Sequence, residues 1–508
     1  MLNARRNQTR SLAWSKPAAR SNRAAVKPSN VMSSTGISSA TRVGGQHPLT
    51  NGEENRRLAD YENRIKASFD VIIPALKQIS SLQNEVDFEA RAQQISREKL
   101  GYELPNSFLE DAWVQRLDMR RLFAWCTFET YKKFCDDFFI NDPLGKGDDK
   151  NFNQMLQECG FHTLDVSPCA DGRLAHVIRY VMRLPYKEVR RKSYAGAMFD
   201  IADSIDKWVE TELMRFREGK PNTADSATRY LKTVVYHYSS IDPEHEGCAA
   251  HGSDTDTAAK EGLGRLLGFK QAIENTYCCG ASIDHLLIGL DTDTDTIRVH
   301  VPREDGSIYE DKYIDAAEIY NATLTMSAQN AQSWIAEHIK GENPAMAAGM
   351  IKFISYLIVN NFSQIDYVRS YHNGHYEDAG HAERFIGAGI GFEEVQLRNL
   401  TYFAYLNTVE EATADLDVGI KIFSGLHVAH GIPVPVVVRY DYHGNVPGSY
   451  ERAKVHCRRV ASALHDRYAE LTSQGLLHTL LAVRDVNASG CIEVLDSSVN
   501  AQIAQEAH

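Results

Sequence analysis

The stretch "FHTLDVSPCADGR" (161–173) joins a strand-like apolar run to a turn that carries a cysteine, an aspartate and an arginine. Two similar apolar runs follow, "YLKTVVYHY" (230–238) and "IDHLLIGLD" (283–291), and helical patterns precede them at 199–219 and 258–277. Strands that alternate with helices predict a parallel sheet covered by helices. Sites in such sheets form at the carboxyl ends of the strands, which is where this turn lies.

Three residues at predicted strand ends are of the types that bind metals. Cys169 follows the first run, His237 lies near the end of the second, and Cys248 lies in the loop after it. Catalytic zinc commonly has three protein ligands and an open fourth position, and cysteine and histidine suit it. The chain has no C-x-x-C pair, so a closed zinc ribbon is not indicated. For any one of these cysteines, the simpler interpretation is a small buried apolar residue.

The neighbours of the first cysteine favour the metal interpretation. Asp171 and Arg173 follow Cys169 closely, and a tight turn would bring both side chains near the thiol. An arginine can pair with a carboxylate through two hydrogen bonds and keep it ionised. Such a carboxylate can accept a hydrogen bond from metal-bound water while it is held away from the metal. The alternative is a surface ion pair that contributes little to stability.

Several longer blocks carry a resemblance to one known family. They are "QHPLT" (46–50), "AGAMFDI" (195–201), "YHYSSIDPEHEGCAAHGSD" (236–254), "CCGASIDHLLIGLDTDTDTIRVHVP" (278–302) and "GHAERFIGAGIGFEEVQLRNL" (380–400). The pattern C-x-D-x-R in "SPCADGR", with a histidine and a cysteine further along the chain, is the signature of β-class carbonic anhydrases. Together with these blocks, it resembles the carboxysome shell carbonic anhydrases, the epsilon subfamily.

The resemblance implies one zinc ion per chain, in the catalytic domain only. Its ligands would be Cys169, His237 and Cys248, and the Asp171–Arg173 dyad would orient the zinc-bound water. Zinc lowers the pKa of bound water to about 7 and so supplies hydroxide at neutral pH. The implied reaction is the reversible hydration of CO2 to bicarbonate, in which zinc hydroxide attacks CO2.

Two roles have to be assigned to histidines: the third zinc ligand and the proton shuttle. Ordinary β-class enzymes use an H-x-x-C pair, which would make His245 the ligand in place of His237. We favour His237, because a histidine at the end of a β-branched strand holds a fixed position. The proton from the reaction must leave, and a nearby histidine is the usual carrier. We predict that His381 in "GHAER" is this proton shuttle; a solvated loop residue is the alternative.

The predicted fold class is α/β, with an N-terminal helical domain, a β-carbonic-anhydrase-like catalytic domain and a degenerate second α/β copy. The predicted segments are a disordered basic tail (1–50), a helical domain (51–145), a zinc catalytic domain (146–391) and a degenerate carbonic-anhydrase-like C-terminal domain (392–508). The tail has eight basic residues, no acidic residue and few large apolar residues, which is typical of disorder.

The second copy is predicted from three short matches that occur in the same order. They pair "LDVSPCADG" (164–172) with "LDVGIKIFS" (416–424), "TVVYHYSSIDP" (233–243) with "VVRYDYHGNVP" (437–447), and "HLLIGLD" (285–291) with "HTLLAVRD" (478–485). In this alignment, Lys421 replaces Cys169 and Asp441 replaces His237. The second copy would therefore lack the metal and serve as a scaffold.

Composition and resemblance together predict the partners and the location. The net charge of −12 gives no overall basic footprint for nucleic acid, and no apolar run approaches the length of a membrane span. The resemblance implies encapsulation in the carboxysome, within the bacterial cytoplasm, where bicarbonate is converted to CO2 beside RuBisCO. The basic tail would bind RuBisCO or shell proteins, and the family implies a homodimer or an assembly of dimers.

Two other functions compete with this interpretation. Another zinc hydrolase would need a general base, and Asp171 is a poor candidate because Arg173 should depress its pKa. A non-catalytic scaffold that links RuBisCO to the shell would have no use for an oriented dyad. Both alternatives explain these residues less well than a carbonic anhydrase does.

Overall fold

The computed structural model describes residues 45–110, 112, 116–145, 149–185, 189–223, 226–277, 282–305, 307–378, 380–392, 394, 396–406, 409–488 and 491–500. Nearly all of the predicted basic tail lies outside the described residues. Within them, no helix has an apolar stretch long enough to cross a bilayer.

The first part of the chain is helical, as predicted. Its helices are α1 (Gly52–Asp70), α2 (Ile72–Ser81), α3 (Phe88–Lys99) and α4 (Met119–Asn141). Side-chain caps begin two of them: the side chain of Asn51 accepts a hydrogen bond from the Glu53 amide, and that of Asp118 accepts one from Arg121. Buried aromatic residues of α4 pack this region against the second sheet described below.

The first sheet has six strands in the order β2-β1-β3-β4-β5-β6. They are β1 (Thr163–Pro168), β2 (Arg190–Arg191), β3 (Arg229–Tyr238), β4 (Ser282–Asp291), β5 (Ile297–Pro302) and β6 (Ile308–Asp315). Strands β2, β1, β3 and β4 are parallel, as the sequence predicts for β1, β3 and β4. Strand β5 is antiparallel to both of its neighbours, β4 and β6. A short turn joins β4 to β5, and only an antiparallel pair can be joined that way.

Helices cover this sheet and connect its parallel strands. They are α5 (Asp149–Glu158), α6 (Ile201–Arg217), α7 (Thr255–Tyr277), α8 (Ala316–Thr323), α9 (Ala328–Glu342) and α10 (Ala348–Tyr371). Strand β3 lies inside the sheet and is buried at every position except its two ends. This burial on both faces explains why the run "YLKTVVYHY" is almost continuously apolar.

The second sheet has five strands in the order β11-β10-β9-β7-β8. They are β7 (Phe385–Ile390), β8 (Thr401–Tyr405), β9 (Val434–Tyr442), β10 (Leu477–Asp485) and β11 (Glu493–Ser497), with helices α11 (Val409–Leu426), α12 (Ser449–Arg467) and α13 (Ala469–Ser473). Because β7 pairs with both β8 and β9, this sheet begins ahead of the boundary that we predicted between 391 and 392.

Two of the three matches that predicted a duplication fall on equivalent strands. The parallel pair β9–β10 with α12 in the connection repeats the parallel pair β3–β4 with α7 in the connection. Strand β7 pairs with β9 as β1 pairs with β3. The two sheets therefore share a core arrangement, in which Asp441 lies near the end of β9 as His237 lies near the end of β3.

The third match, at 416–424, was wrong. This segment lies inside α11, where Leu416, Ile420 and Phe423 are buried at helical spacing. Its resemblance to "LDVSPCADG" is confined to the first three letters, and these do not distinguish a strand from a helix. Lys421 therefore does not correspond to Cys169.

Candidate metal centre

The three predicted metal ligands converge where β1 and β3 end. Cys169 directly follows β1, and its amide donates a hydrogen bond of 3.1 Å to the carbonyl of Val235 in β3. His237 is the penultimate residue of β3, and Cys248 precedes a short 3₁₀ turn at Ala249–His251. The ligand atoms of the three side chains lie within 4.8 Å of one another, and the two Sγ atoms are 4.0 Å apart.

The surroundings of these atoms fit a bound zinc ion. Cys169, His237 and Cys248 are 5%, 1% and 2% exposed. Neither ring nitrogen of His237 has a hydrogen-bond partner among the described residues. Buried polar atoms normally have a hydrogen-bond partner. An imidazole that has none and lies beside two thiols is therefore the arrangement expected for side chains that bind a metal ion. Two thiols and one imidazole are a donor set that zinc accepts, with a fourth position left over.

The two thiols differ in acidity because they interact with each other. Hydrogen bonding with Cys248, together with burial, raises the pKa of Cys169 well above its usual range. The same hydrogen bond lowers the pKa of Cys248. Both thiols would have to ionise to hold a metal, because the thiolate is the form that binds it.

His245 does not reach the thiols, although its H-x-x-C spacing is correct. Its side chain is 72% exposed, and its Nδ1 lies 2.8 Å from Oδ1 of Asp242 in the same loop. The loop turns this ring outward, whereas the end of β3 directs His237 inward. The structure thus brings His237 to the two cysteines.

Asp171 and Arg173 form a closed ion pair beside the cluster. The Nε and Nη2 atoms of Arg173 lie 3.0 and 2.8 Å from Oδ1 and Oδ2 of Asp171, and the Arg173 amide also donates to Oδ1. Oδ2 of Asp171 lies 3.5 Å from Nε2 of His237. Burial alone would raise the pKa of Asp171, but the charges of Arg173, His381 and His237 hold it well below its usual range.

Arg173 also connects two ligand-bearing segments. Its Nη1 and Nη2 atoms donate hydrogen bonds of 2.5 and 3.2 Å to the carbonyls of Glu246 and Gly247, which directly precede Cys248. The guanidinium is 1% exposed, so these hydrogen bonds form in a region of low dielectric and are strong. One residue therefore orients both the carboxylate and the loop that carries the second thiol.

His381 lies on the solvent side of the dyad. Its side chain is 20% exposed, and its Nε2 lies 3.8 Å from Oδ2 of Asp171. Its Nδ1 lies 3.0 Å from Oε1 of Glu383, a buried residue that the sequence analysis did not select. Burial lowers the pKa of His381, but Asp171 and Glu383 raise it more strongly, to about 9.

The second half of the chain positions this histidine. The side-chain amide of Asn399 donates a hydrogen bond of 3.0 Å to the carbonyl of Gly380, next to His381. The backbone amide of Asn399 donates to the carbonyl of Gly172, inside the dyad turn. The site therefore lies at the contact between the two sheets, which no local sequence pattern could reveal.

The equivalent position in the second sheet holds an ion cluster. Arg439 on β9 donates hydrogen bonds of 2.6 and 2.9 Å to the carboxylate of Asp441 and also contacts Glu394. Nη1 of Arg484 lies 3.2 Å from Oδ2 of Asp441, and Tyr131 of α4 accepts a hydrogen bond from Arg439. Among the described residues, two groups of side chains could hold a metal ion, and both lie outside this cluster: Cys169 with His237 and Cys248, and Asp171 with His381 and Glu383.

A buried Cys₂His set with an adjacent Asp–Arg dyad in an α/β fold fits a metal-dependent enzyme of the β-carbonic-anhydrase type. Family models for the N-terminal, catalytic and C-terminal domains of carboxysome shell carbonic anhydrase match residues 47–139, 151–381 and 382–499. The proteins named carboxysome shell carbonic anhydrase from Prochlorococcus marinus (strain MIT 9313) and Parasynechococcus marenigrum (strain WH8102) are each 55% identical to this chain. The alignments cover 91% of this chain and 91% and 81% of those proteins.

A more distant relative of the same name, from Halothiobacillus neapolitanus (strain ATCC 23641 / c2), is 43% identical over 89% of this chain and 90% of its own length. The chain therefore belongs to the carboxysome shell carbonic anhydrase family. The predictions of a carbonic anhydrase and of a location in the carboxysome are confirmed by these matches. The zinc ligands, the dyad and the shuttle stay predictions that the geometry supports.

Proposed function

We propose that this chain binds one zinc ion through Cys169, His237 and Cys248 and catalyses the reversible hydration of CO2 to bicarbonate. The observation that carries the proposal is the buried His237 ring, which has no hydrogen-bond partner among the described residues and lies beside two thiols. A zinc ion in this place would lower the pKa of a bound water to about 7 and supply hydroxide at neutral pH.

The proposed work of Asp171 is to orient the attacking oxygen. Its low pKa keeps it ionised, so it can only accept hydrogen bonds. Arg173 engages both carboxylate oxygens and holds the group in one plane. Oδ2, which lies 3.5 Å from Nε2 of His237, would then be placed to accept a hydrogen bond from the water that attacks CO2. The lone pair of that water is left to face the carbon of CO2.

The proposed physiological direction is dehydration of bicarbonate, which supplies CO2 to RuBisCO inside the carboxysome. Dehydration consumes a proton, and His381, the proposed proton shuttle, could deliver it from solvent. We further propose a homodimer or an assembly of dimers, and a tail of residues 1–50 that binds RuBisCO or shell proteins. The eight basic residues of that tail predict binding that weakens as salt concentration rises.

Stopped-flow CO2 hydration with zinc quantification tests the catalytic proposal. We expect about one zinc per chain and rapid hydration in the unmodified protein. Zinc without hydration would favour the scaffold, and zinc with esterase activity alone would favour another hydrolase. A protein that binds no zinc and does not hydrate CO2 would contradict the proposal.

The tail is tested separately. Removal of residues 1–44 should leave CO2 hydration unchanged and abolish co-sedimentation with RuBisCO or shell proteins at low salt. Co-sedimentation that survives the truncation would contradict the proposed role of the tail.

A further inference from the structure

A buried carboxylate lies next to the proposed proton path, beside the candidate metal centre. Glu383 is 2% exposed and lies beside β7, at the contact between the two sheets. Its Oε1 accepts a hydrogen bond of 3.1 Å from the amide of Gly172. A side chain at position 172 would come within 2.5 Å of Glu383, so glycine is required for this approach.

The same carboxylate oxygen faces the His381 ring. Nδ1 of His381 lies 3.0 Å from Oε1 of Glu383, and Nε2, on the other side of the ring, lies 3.8 Å from Oδ2 of Asp171. Because Oε1 already accepts from the Gly172 amide, it acts as an acceptor, and Nδ1 of His381 must carry a hydrogen. In a neutral imidazole, Nε2 is then the nitrogen that exchanges a proton.

We propose that Glu383 is the positioning residue that fixes the tautomer and orientation of His381, so that every proton passes through Nε2 on the side of Asp171. This inference rests on the proposed carbonic anhydrase function. In hydration, an O–H bond of the attacking water breaks, an N–H bond forms at Nε2, and this proton then passes to a buffer base. In dehydration, the Nε2 proton is delivered inward and is replaced from the buffer acid.

In this arrangement, His381 would act in proton transfer and take no part in the attack on CO2. His381 contacts the dyad at its exposed edge, and the described contacts place no atom of Glu383 against the Cys₂His cluster. Loss of Glu383 should therefore slow proton exchange and leave the encounter with CO2 unchanged. Under steady state, kcat should fall while kcat/KM stays constant, because only kcat includes proton transfer to buffer.

The test uses Glu383→Gln in the full-length zinc-loaded protein. One terminal atom of glutamine must take the place of Oε1 beside both the Gly172 amide and Nδ1. An NH2 group there would oppose the amide and donate to Nδ1, and an oxygen there would be an uncharged, weaker acceptor, so the tautomer would be less firmly fixed. We expect unchanged zinc content, kcat/KM within about twofold of the unmodified protein, and kcat lowered at least about fivefold in a bulky buffer. Imidazole, a small buffer that can replace the side chain, should restore kcat. Glu377→Gln, an exposed carboxamide substitution on the same loop, is the matched control and should change none of these values.

Two further measurements distinguish a positioning role from a structural one. In a His381→Ala background, Glu383→Gln should cause no additional loss of kcat, because the two residues act as a unit. ¹⁵N NMR of histidine-labelled, zinc-loaded protein, recorded at a pH above the His381 pKa of about 9 and assigned by difference from His381→Ala, should show a neutral His381 ring protonated at Nδ1. Glu383→Gln should mix the tautomers and lower the His381 pKa.

Additive losses in the double variant, or a neutral His381 ring protonated at Nε2, would overturn the inference. These outcomes differ from a failure of the proposed function. If the unmodified protein hydrates no CO2, the tautomer and its change in Glu383→Gln still decide whether Glu383 positions His381.

Discussion

The ends of β3 and β9 occupy equivalent places in the two sheets, yet they hold opposite kinds of chemistry. His237 ends β3 next to two thiols and has no hydrogen-bond partner among the described residues, whereas Asp441 ends β9 with two arginines against its carboxylate. The first arrangement has the donor set that the proposed zinc ion would complete, and the carboxylates and guanidinium groups of the second balance each other in charge. In this account, equivalent strand ends have different roles: the end of β3 binds the proposed metal ion, and the end of β9 contributes a buried ion cluster to stability.

The difference depends on what each copy places next to the strand. Beside β3 lie the turn that carries Cys169 and the loop that carries Cys248. Beside β9 lie Glu394 and α4 of the helical region, whose Tyr131 accepts a hydrogen bond from Arg439. The end of β9 is thus packed against the helical region, whereas the end of β3 lies against the turn and the loop that carry the thiols.

The largest expected effect comes from removing a ligand in the first copy. Cys169→Ser should lose zinc and lower CO2 hydration by on the order of a thousandfold, because the proposed nucleophile forms only with zinc bound. Zinc analysis and stopped-flow assays measure both quantities. Cys457→Ser is the matched control, since the thiol of this buried cysteine of α12 donates to the backbone carbonyls of Ala482 and Val438. Equal zinc loss in the two variants would contradict the assignment.

A substitution at the equivalent strand end of the second copy should lower the stability of the protein and leave zinc binding unchanged. Asp441→Ala removes a carboxylate that faces both Arg439 and Arg484 in a buried cluster, and breaking such a pair costs about 3–5 kcal/mol. We expect a clearly lower midpoint of thermal unfolding, with zinc content unchanged in the folded fraction. Calorimetry at matched protein concentration measures it. A loss of zinc without a loss of stability would show that the two strand ends are not separate in function.

Asp171→Asn should separate metal binding from catalysis within the first copy. The variant keeps the shape of the side chain but loses the charge that orients water, so activity should fall on the order of a hundredfold with zinc retained. Asp242→Asn, in the exposed pair with His245, is the control and should keep activity within about twofold. Full activity in Asp171→Asn would contradict the proposed role of the Asp171–Arg173 dyad in catalysis.

The smallest effect concerns a contact from the second copy to the first. Asp415 of α11 accepts a hydrogen bond of 2.7 Å from the amide of Ala195, and burial raises its pKa to about 6. A raised pKa in the folded state means that stability is lost as pH rises through about 6. Asp415→Asn keeps an acceptor without the charge. It should therefore exceed the unmodified protein in stability by on the order of 1–3 kcal/mol at pH 8 and match it near pH 4. A constant difference across this range would contradict the assignment.

The local part of the site could be predicted from the sequence. The spacing of Cys169, Asp171 and Arg173 places them on one turn after a strand. The two distant ligands, His237 and Cys248, were indicated by their position at the end of the second predicted strand and in the loop after it, together with the resemblance. The choice between His237 and His245 depended on the direction of a loop, which spacing does not encode. Glu383 was missed because its role arises where the two sheets meet. The only local signal for it is the short separation from His381 in "GHAER".

For the fold too, local patterns could be predicted from the sequence, and features that depend on tertiary contacts could not. Long apolar strands such as β3 and β4 were predicted because burial on both faces leaves a continuous pattern. Strand β7, "FIGAGI", was not recognised as the start of the second sheet, because small residues dominate it. Its Gly389 lies so close to the backbone of Arg439 that no side chain would fit, which explains this composition. The segment at 416–424 was misread because an amphipathic helix and a strand can share a short apolar motif.

The most direct test of the central claim is X-ray absorption at the zinc edge of the purified protein. The proposed site predicts one zinc per chain with two sulfur ligands at about 2.3 Å and two nitrogen or oxygen ligands at about 2.0–2.1 Å. Cys169→Ser should remove this signal. A shell without sulfur, or a zinc ion that persists unchanged in Cys169→Ser, would contradict the assignment of Cys169, His237 and Cys248 as the metal centre.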